Sequence, residues 1–145
     1  MRIFIDADGC PVVDIAVQLA KKHNIESFIL CDTSHFFNKD GATTMTVSKG
    51  ADSVDYALVN LVNVGDIVIT QDYGLAAMCL ARNEVFMNHD GMKYTADNID
   101  ALLLARHTAR KIRSSGGRLK GPSKRGKEHD AVFKTALDNV LKAHI

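Results

Sequence analysis

Short apolar, β-favouring runs alternate along this chain with stretches whose apolar residues recur at helical spacing, and that alternation is the strongest constraint on its fold. Arg2-Ile3-Phe4-Ile5 is the first such run. Val12, Ile15, Ala16, Leu19 and Ala20 follow at helical spacing as far as Lys22, with Pro11 suited to the first turn. Glu26 to Cys31 and Thr43 to Val47 are the next strand-length runs, separated by a polar loop over 35–42. Val54, Ala57, Leu58, Leu61 and Val62 form one helical face that stops before Gly65, with Asp52 placed as its N-cap. Asp66 to Thr70 reads as a strand running through to Gln71-Asp72, Leu75 to Ala81 as a helix, and Val85 to Met87 as a short strand. Beyond a turn at Asn88, Asp90 and Gly91, helices are predicted over Asp97 to Arg113 and Glu128 to Ala143. Alternation of this kind predicts an α/β fold with a mostly parallel sheet.

A chain of 145 residues, 46% hydrophobic, suits one domain with one core over 1–145. No run approaches the ~18 apolar residues of a membrane span. The start lacks a basic segment ahead of an apolar stretch, so a cytoplasmic protein is expected. Cys10, Cys31 and Cys79 are an odd number without a C-x-x-C pair, which argues against a disulfide framework or a structural zinc site. Cys10 reads as a small packing residue at a helix start, with a reactive thiol as the alternative.

The formal net charge of +1 hides a separation. Residues 1–105 hold 7 Lys/Arg and 14 Asp/Glu, whereas 106–127 hold 9 Lys/Arg and no acid. Half of the basic residues therefore fall in 22 consecutive positions, a pattern that favours a polyanionic partner. Arg106, Arg110 and Arg113 share one helix face, and Arg118, Lys120, Lys124 and Arg125 lie in the Gly-rich stretch 114–127, which reads as a loop or flap. Contacts from such residues to phosphates position a nucleic-acid backbone without reading its sequence.

The acids are placed with equal regularity. Asp6 and Asp8 follow the first strand, Asp72 follows the fourth, and Asp52 and Asp55 share a face at a helix start. Extended geometry to Asp8 would put Asp6 and Asp8 on one side of the sheet. At a separation of about 5 Å and an effective dielectric of about 20, two such charges repel by roughly 3 kcal/mol. A cation or a shared proton relieves that repulsion. Ligands of parallel α/β sheets gather beyond the carboxyl ends of the strands, so five acids converging there would suit Mg²⁺ or Mn²⁺ and metal-assisted phosphodiester hydrolysis. Each part also has a plain structural reading. Asp8 or Asp52 alone serves as an N-cap, the Arg stripe as a solvated face, Asp66 as a turn residue, and His129 as an exposed histidine at a helix start.

Asp6-Ala7-Asp8-x-Cys10-Pro11-Val12, Gly50-x-Asp52-x-x-Asp55, Gly65-Asp66-Ile67-Val68-Ile69-Thr70-Gln71-Asp72 with Leu75-Ala76, and the late Arg106, Arg110, Arg113 and Gly121-Pro122 together resemble the bacterial YaiI/YqxD family over nearly the whole chain. Position 9 is Gly where that motif carries Ala, which leaves the carboxylates untouched. The family is itself similar to PIN-like nuclease domains. The resemblance implies a three-layer α/β/α sandwich around a parallel sheet with an acidic metal site at the strand ends. It maps the first-strand acid onto Asp6, the helix-borne acids onto Asp52 and Asp55, and the Thr-x-Asp acid onto Asp72. Asp8 belongs to the family's own motif, and Asp90 is the candidate for a further acid.

The expected function is a Mg²⁺- or Mn²⁺-dependent nuclease acting on RNA, with Asp6, Asp8, Asp52, Asp55 and Asp72 as catalytic and metal-binding residues. Two alternatives stand beside it. One is a PIN-like domain that binds nucleic acid or protein without turnover. The other is a haloacid dehalogenase-type phosphohydrolase, whose Asp-x-Asp signature would make Asp6 a nucleophile, with Thr33 or Ser34 and Asp66 with Asp72 imitating its later motifs. Against the latter, Pro11 leaves little room for that fold's insertion, and Cys10 stands where a Thr is usual.

Overall fold

The alternating runs assemble into one five-stranded parallel sheet, seen in a computed structural model that describes residues 1–32, 39–47, 53–79, 85–117 and 124–143. The elements in chain order are β1 (Arg2–Asp6), α1 (Val13–Lys22), β2 (Glu26–Asp32), β3 (Thr43–Val47), α2 (Ser53–Leu61), β4 (Ile67–Ile69), α3 (Tyr73–Cys79), β5 (Val85–Met87), α4 (Ala96–Ser114) and α5 (Lys127–Ala143). The strand order is β3-β2-β1-β4-β5. The chain therefore builds outward from β1 in one direction, then returns to start again on its other side. The order reverses between β1 and β4, whose ladder pairs Ile3 with Ile67, Phe4 with Val68 and Ile5 with Ile69.

Both faces of a parallel sheet are covered, so its strands alternate between two cores rather than between core and solvent. Ile3, Ile5, Ile29, Cys31, Ile67, Ile69 and Met87 face α1 and α5, where Val13, Ala16, Val17 and Ala20 meet Phe133, Leu137, Val140 and Leu141. Phe4, Leu30, Val68 and Phe86 face the other way, against Leu58 and Val62, Leu75 and Ala76 of α3, and Tyr94 and Ile99. The result is the expected three-layer α/β/α sandwich. Each fully buried large side chain contributes roughly 1.5–3 kcal/mol of transfer free energy, which is why an edge-to-edge alternation of Ile, Val and Phe suffices to fix the layers.

The helix starts differ in small ways from the sequence expectations, for local reasons. α3 begins at Tyr73 rather than Leu75, because the Asp72 carboxylate accepts a hydrogen bond from the Leu75 N–H at 3.1 Å and caps the helix. The fourth strand accordingly ends at Ile69 instead of running on to Asp72. α4 begins behind Thr95, whose hydroxyl accepts from the Asn98 N–H while the Asn98 side chain accepts from the Thr95 N–H. That reciprocal pair is a capping box built with Asn in place of the usual Glu or Gln.

Asp66 is more than a turn residue. It is 3% exposed and accepts from the Arg2 backbone N–H at 2.9 Å, the Arg2 guanidinium at 2.8 Å and the Asn63 N–H at 2.9 Å. Arg2 also donates to the Leu61 carbonyl and lies 5.0 Å over the Phe4 ring. This clamp ties the start of β1 to the end of α2 and the entry of β4. Asp66→Ala leaves the half-buried Arg2 without its charge partner and two backbone donors without an acceptor. It should cost about 2–4 kcal/mol, read as a lowered urea midpoint at unchanged slope.

A second polar tie joins the two helices on the opposite face. Asp138 of α5 accepts from His23 Nε2 at 2.7 Å and from Lys142 at 3.0 Å. These hydrogen bonds hold its carboxyl well below the ordinary 3.8, at about 2. Because the folded value is depressed, the pair's stabilisation is complete above the unfolded value and is lost as pH falls towards about 2. Thermal melts of wild type and Asp138→Asn should therefore differ most near neutral pH and converge on acidification. A constant difference down to about pH 2 would show that this carboxylate is not responsible.

Candidate functional site

Thr70 brings the acids of β1 and β4 together. Its hydroxyl donates to Asp6 Oδ2 at 2.8 Å and accepts from the Asp72 N–H at 3.0 Å, while its own N–H extends the ladder to the Met87 carbonyl. One hydroxyl thus fixes the side chain at the end of β1 and the backbone that positions Asp72. Tyr94 supports the arrangement from beneath, donating from its buried hydroxyl to the Thr70 carbonyl at 3.0 Å. Burial pushes that phenol up to about 12, and the nearby charges of Asp72 and Asp90 add to the effect, so it stays a donor.

Strand geometry does not persist to Asp8. Ala7 makes the last ladder bond, to the Leu30 carbonyl, and the chain then turns, with Cys10 N–H donating to the Ala7 carbonyl and Gly9 in the left-handed region at φ +69°. The turn still leaves Asp8 close enough to act on Asp6 electrostatically. The Asp6 carboxyl is raised above its ordinary value chiefly by burial; the Thr70 hydrogen bond opposes that rise, and the charges of Asp8 and Asp72 add smaller contributions to it. Asp6, Asp8 and Asp72 therefore meet at the switch point between β1 and β4, where parallel α/β sheets open a crevice. The Cys10 thiol beside them is pushed up to about 11 by burial and stays protonated at neutral pH.

The helix-borne acids are less completely defined. Asp52 lies outside the described residues, as do Arg118 and Lys120 and the alternative motif residues Thr33 and Ser34. The backbone of Asp55 is in the first turn of α2. α2 ends at Leu61, whose carbonyl is bound by Arg2 at the start of β1, so its first turn lies towards the carboxyl edge of the sheet. Among the described residues, no three His, Cys, Asp or Glu side chains are grouped so as to hold a metal ion.

The basic residues divide into two sets. Arg106 reaches the acidic edge, with its guanidinium 5.8 Å from the Tyr73 ring centre. A methyl group added at Gly74 would lie 3.1 Å from Asp72 Oδ1 and 4.0 Å from an Arg106 nitrogen, so Arg106 and Asp72 flank the space that Gly74 leaves open. Arg110 and Arg113 are exposed further along α4, and Lys124 is exposed ahead of α5. Arg125 is turned inward, donating to Asp130 at 2.8 Å, Asp90 at 3.1 Å and the His89 carbonyl at 2.8 Å. That contact also engages Asp90, the candidate for a further acid. Sequence reading passed over Thr70, although the Thr-x-Asp spacing that the resemblance singled out is the signal for it.

Comparison with known proteins places these residues in a wider group. Residues 4–143 match the family described as uncharacterised BCR, YaiI/YqxD family. A protein named UPF0178 from Exiguobacterium sibiricum is 50% identical over 97% of this chain and 96% of its own length. Proteins of the same name from Ruminiclostridium cellulolyticum and Clostridium acetobutylicum are 49% and 43% identical, covering 98% and 97% of this chain and 93% and 97% of their own. No solved structure matches the chain. With the match running from within β1 to the end of α5, the chain belongs to the YaiI/YqxD family.

Proposed function

We propose that this protein is a Mg²⁺- or Mn²⁺-dependent nuclease that hydrolyses RNA at the carboxyl edge of β1 and β4. The observation that carries the reading is the gathering of Asp6, Asp8 and Asp72 at the switch point, where the Asp6 carboxyl is raised chiefly by burial and further by the charges of the other two. Like charges held together by the fold are costly unless a cation or proton answers them. The donors on offer are carboxylate oxygens, which suit Mg²⁺ and Mn²⁺. Such ions need only one or two protein carboxylates, with waters and substrate phosphate completing the shell, so Asp6 and Asp72, with Asp8 beside them, fit the requirement.

When bound, the ion supplies an activated water and neutralises charge on the phosphodiester. The chain's own residues do the rest. Thr70 donates to Asp6 and so favours its ionised, ligating form, offsetting part of the burial penalty. Asp72 is held by its bond to the Leu75 N–H, which fixes its direction. Arg106 lies across the Gly74 gap from Asp72, and Arg110 and Arg113 are exposed further along the same helix, where a phosphate backbone would meet them.

One observation favours the non-enzymatic alternative, a nucleic-acid-binding domain that keeps its acids for structure. Asp6 and Asp72 each already accept a hydrogen bond that stabilises the local fold. The phosphohydrolase alternative is less well supported, since only Ala7 to Val12 separate β1 from α1 and leave little room for an inserted cap.

Calorimetric titration with Mn²⁺ separates these readings before a substrate is identified. Wild type should bind Mn²⁺ and Asp72→Asn should bind it on the order of tenfold to a hundredfold more weakly. On RNA, Asp6→Asn and Asp72→Asn should each lose metal-dependent cleavage while keeping wild-type circular dichroism. Cleavage that survives in both variants overturns the nuclease reading, and RNA binding without turnover in either metal supports the alternative. Arg110→Ala should weaken RNA binding uniformly across sequences and lower the salt slope by about 1 if it contacts a phosphate.

A further inference from the structure

A cleft of about 360 Å³ opens beside the three acids, on the side of the sheet that faces α5. Gly9 and Pro11, just past Asp8, form one wall, and Gln71, between Thr70 and Asp72, forms another. His89, Asp90, Arg125 and His129 close it from the β5 and α5 sides.

The polar groups of the cleft are unusual in being neutral or neutralised. His89 is 4% exposed, yet its Nε2 has no hydrogen-bond partner. A buried polar atom in that condition carries an uncompensated desolvation penalty, which a ligand supplying a hydrogen bond would remove. Burial, with the neighbouring Arg125 charge, lowers the His89 imidazole to about 4, so the ring is uncharged at neutral pH. His129 Nδ1 accepts from the Gly126 N–H at 2.8 Å, which leaves Nε2 as the donor of that ring. The Arg125 charge is answered by Asp90 and Asp130, and its guanidinium is held flat by three contacts.

This combination does not suit the two obvious ionic ligands. Among the described residues of the cleft, Arg125 is already paired with Asp90 and Asp130, so a phosphate meets no free guanidinium, and the carboxylate that lines the cleft, Asp90, is itself taken up by Arg125. What suits it is a flat, uncharged heteroaromatic group with hydrogen-bonding edges. Imidazole rings and guanidinium planes are the surfaces on which unstacked bases lie, and their edges are read by neutral donors and acceptors.

We propose that the cleft lined by His89, Gln71, Arg125 and His129 is a nucleobase pocket, which receives the base next to the phosphodiester held at the carboxylates. The inference rests on the nucleic-acid reading above and narrows it. A base can enter only from a single-stranded or locally unpaired region, so duplex substrates are disfavoured. Gly9 and Gln71, which line the pocket, directly follow Asp8 and precede Asp72 in the chain, so occupancy would fix which bond is presented. His89 and Gln71 are then specificity-determining residues rather than catalytic ones.

The test needs no metal and no cleavage. Adenosine, guanosine, cytidine and uridine are titrated separately into the metal-free protein and followed by NMR of the histidine rings and the glutamine amides, with inorganic phosphate as the control. At least one nucleoside should shift the His89 and Gln71 signals with millimolar or tighter affinity, and phosphate should not. His89→Phe, which keeps the ring shape and removes the nitrogens, should weaken that binding about tenfold. Gln71 is exposed, so Gln71→Ala tests the same pocket without disturbing the core, and severalfold weaker binding is expected. The proposal is overturned if no nucleoside moves the His89 signal, if phosphate moves it equally, or if both variants bind as wild type does. Because the nucleosides bind without metal, that failure is separate from a failed Mn²⁺ titration, which would remove the nuclease reading and leave the pocket standing.

Discussion

The ladder between β1 and β4 is the contact on which the rest of the molecule depends. It is only three pairs long, and it is the sole seam between the two halves of the described sheet, β3-β2-β1 on one side and β4-β5 on the other. Each end of that seam is fastened by a carboxylate. Asp66 holds Arg2 where the strands begin, and Asp6 takes the Thr70 hydroxyl where they end. The first is an ion pair and the second a hydrogen bond from a neutral hydroxyl. At the entry the charge is matched by a guanidinium, whereas at the exit Asp6 meets further negative charge from Asp8 and Asp72. The fold thus spends its local pairing at one edge and leaves the other edge electrostatically incomplete.

That asymmetry gives the segregated sequence charge a place in three dimensions. The acids collect at the carboxyl edge of the sheet, and the long basic helix α4 runs out beside them with Arg106 nearest and Arg110 and Arg113 farther away. Only Ile99 of α4 is fully buried, so most of the helix is not committed to the core. Carboxylates gathered beside a helix of exposed cations are the electrostatic basis of the nucleic-acid reading proposed above.

Much of this was legible in the sequence because parallel strands leave a strong record. Ile3 to Ile5, Ile67 to Ile69 and Val85 to Met87 are short, apolar on both faces and bounded by polar residues, so both existence and type of the strands followed from composition and spacing. The juxtaposition of Asp6 with Asp72 followed from placing their strands side by side. What the sequence concealed were roles set by partners far away in the chain. Asp66 after Gly65 looks like any turn acid until Arg2, 64 positions earlier, is seen against it. Arg125 looks like one more cation of a basic run, and only the folded turn at His89 and Asp90 shows that its charge is already answered. His89 gave no pattern at all, since an isolated histidine after a short strand carries no periodicity from which burial can be inferred.

Gly91 adds a temporal dimension to this architecture. Its backbone adopts φ +84°, and a Cβ there would stand 2.7 Å from the Ala136 Cβ and 3.3 Å from the Phe133 backbone, so the turn after β5 lies directly against α5. During synthesis, the sheet and four helices emerge before α5 does. Without the segment from Lys127 onward, the face formed by Ile3, Ile5, Ile67 and Ile69 would keep only α1 as cover, and the turn at Gly91 would have nothing to rest on. The same helix, α5, therefore both covers the second core and, through Asp130, holds Arg125 at the cleft, so the core and the cleft share one element.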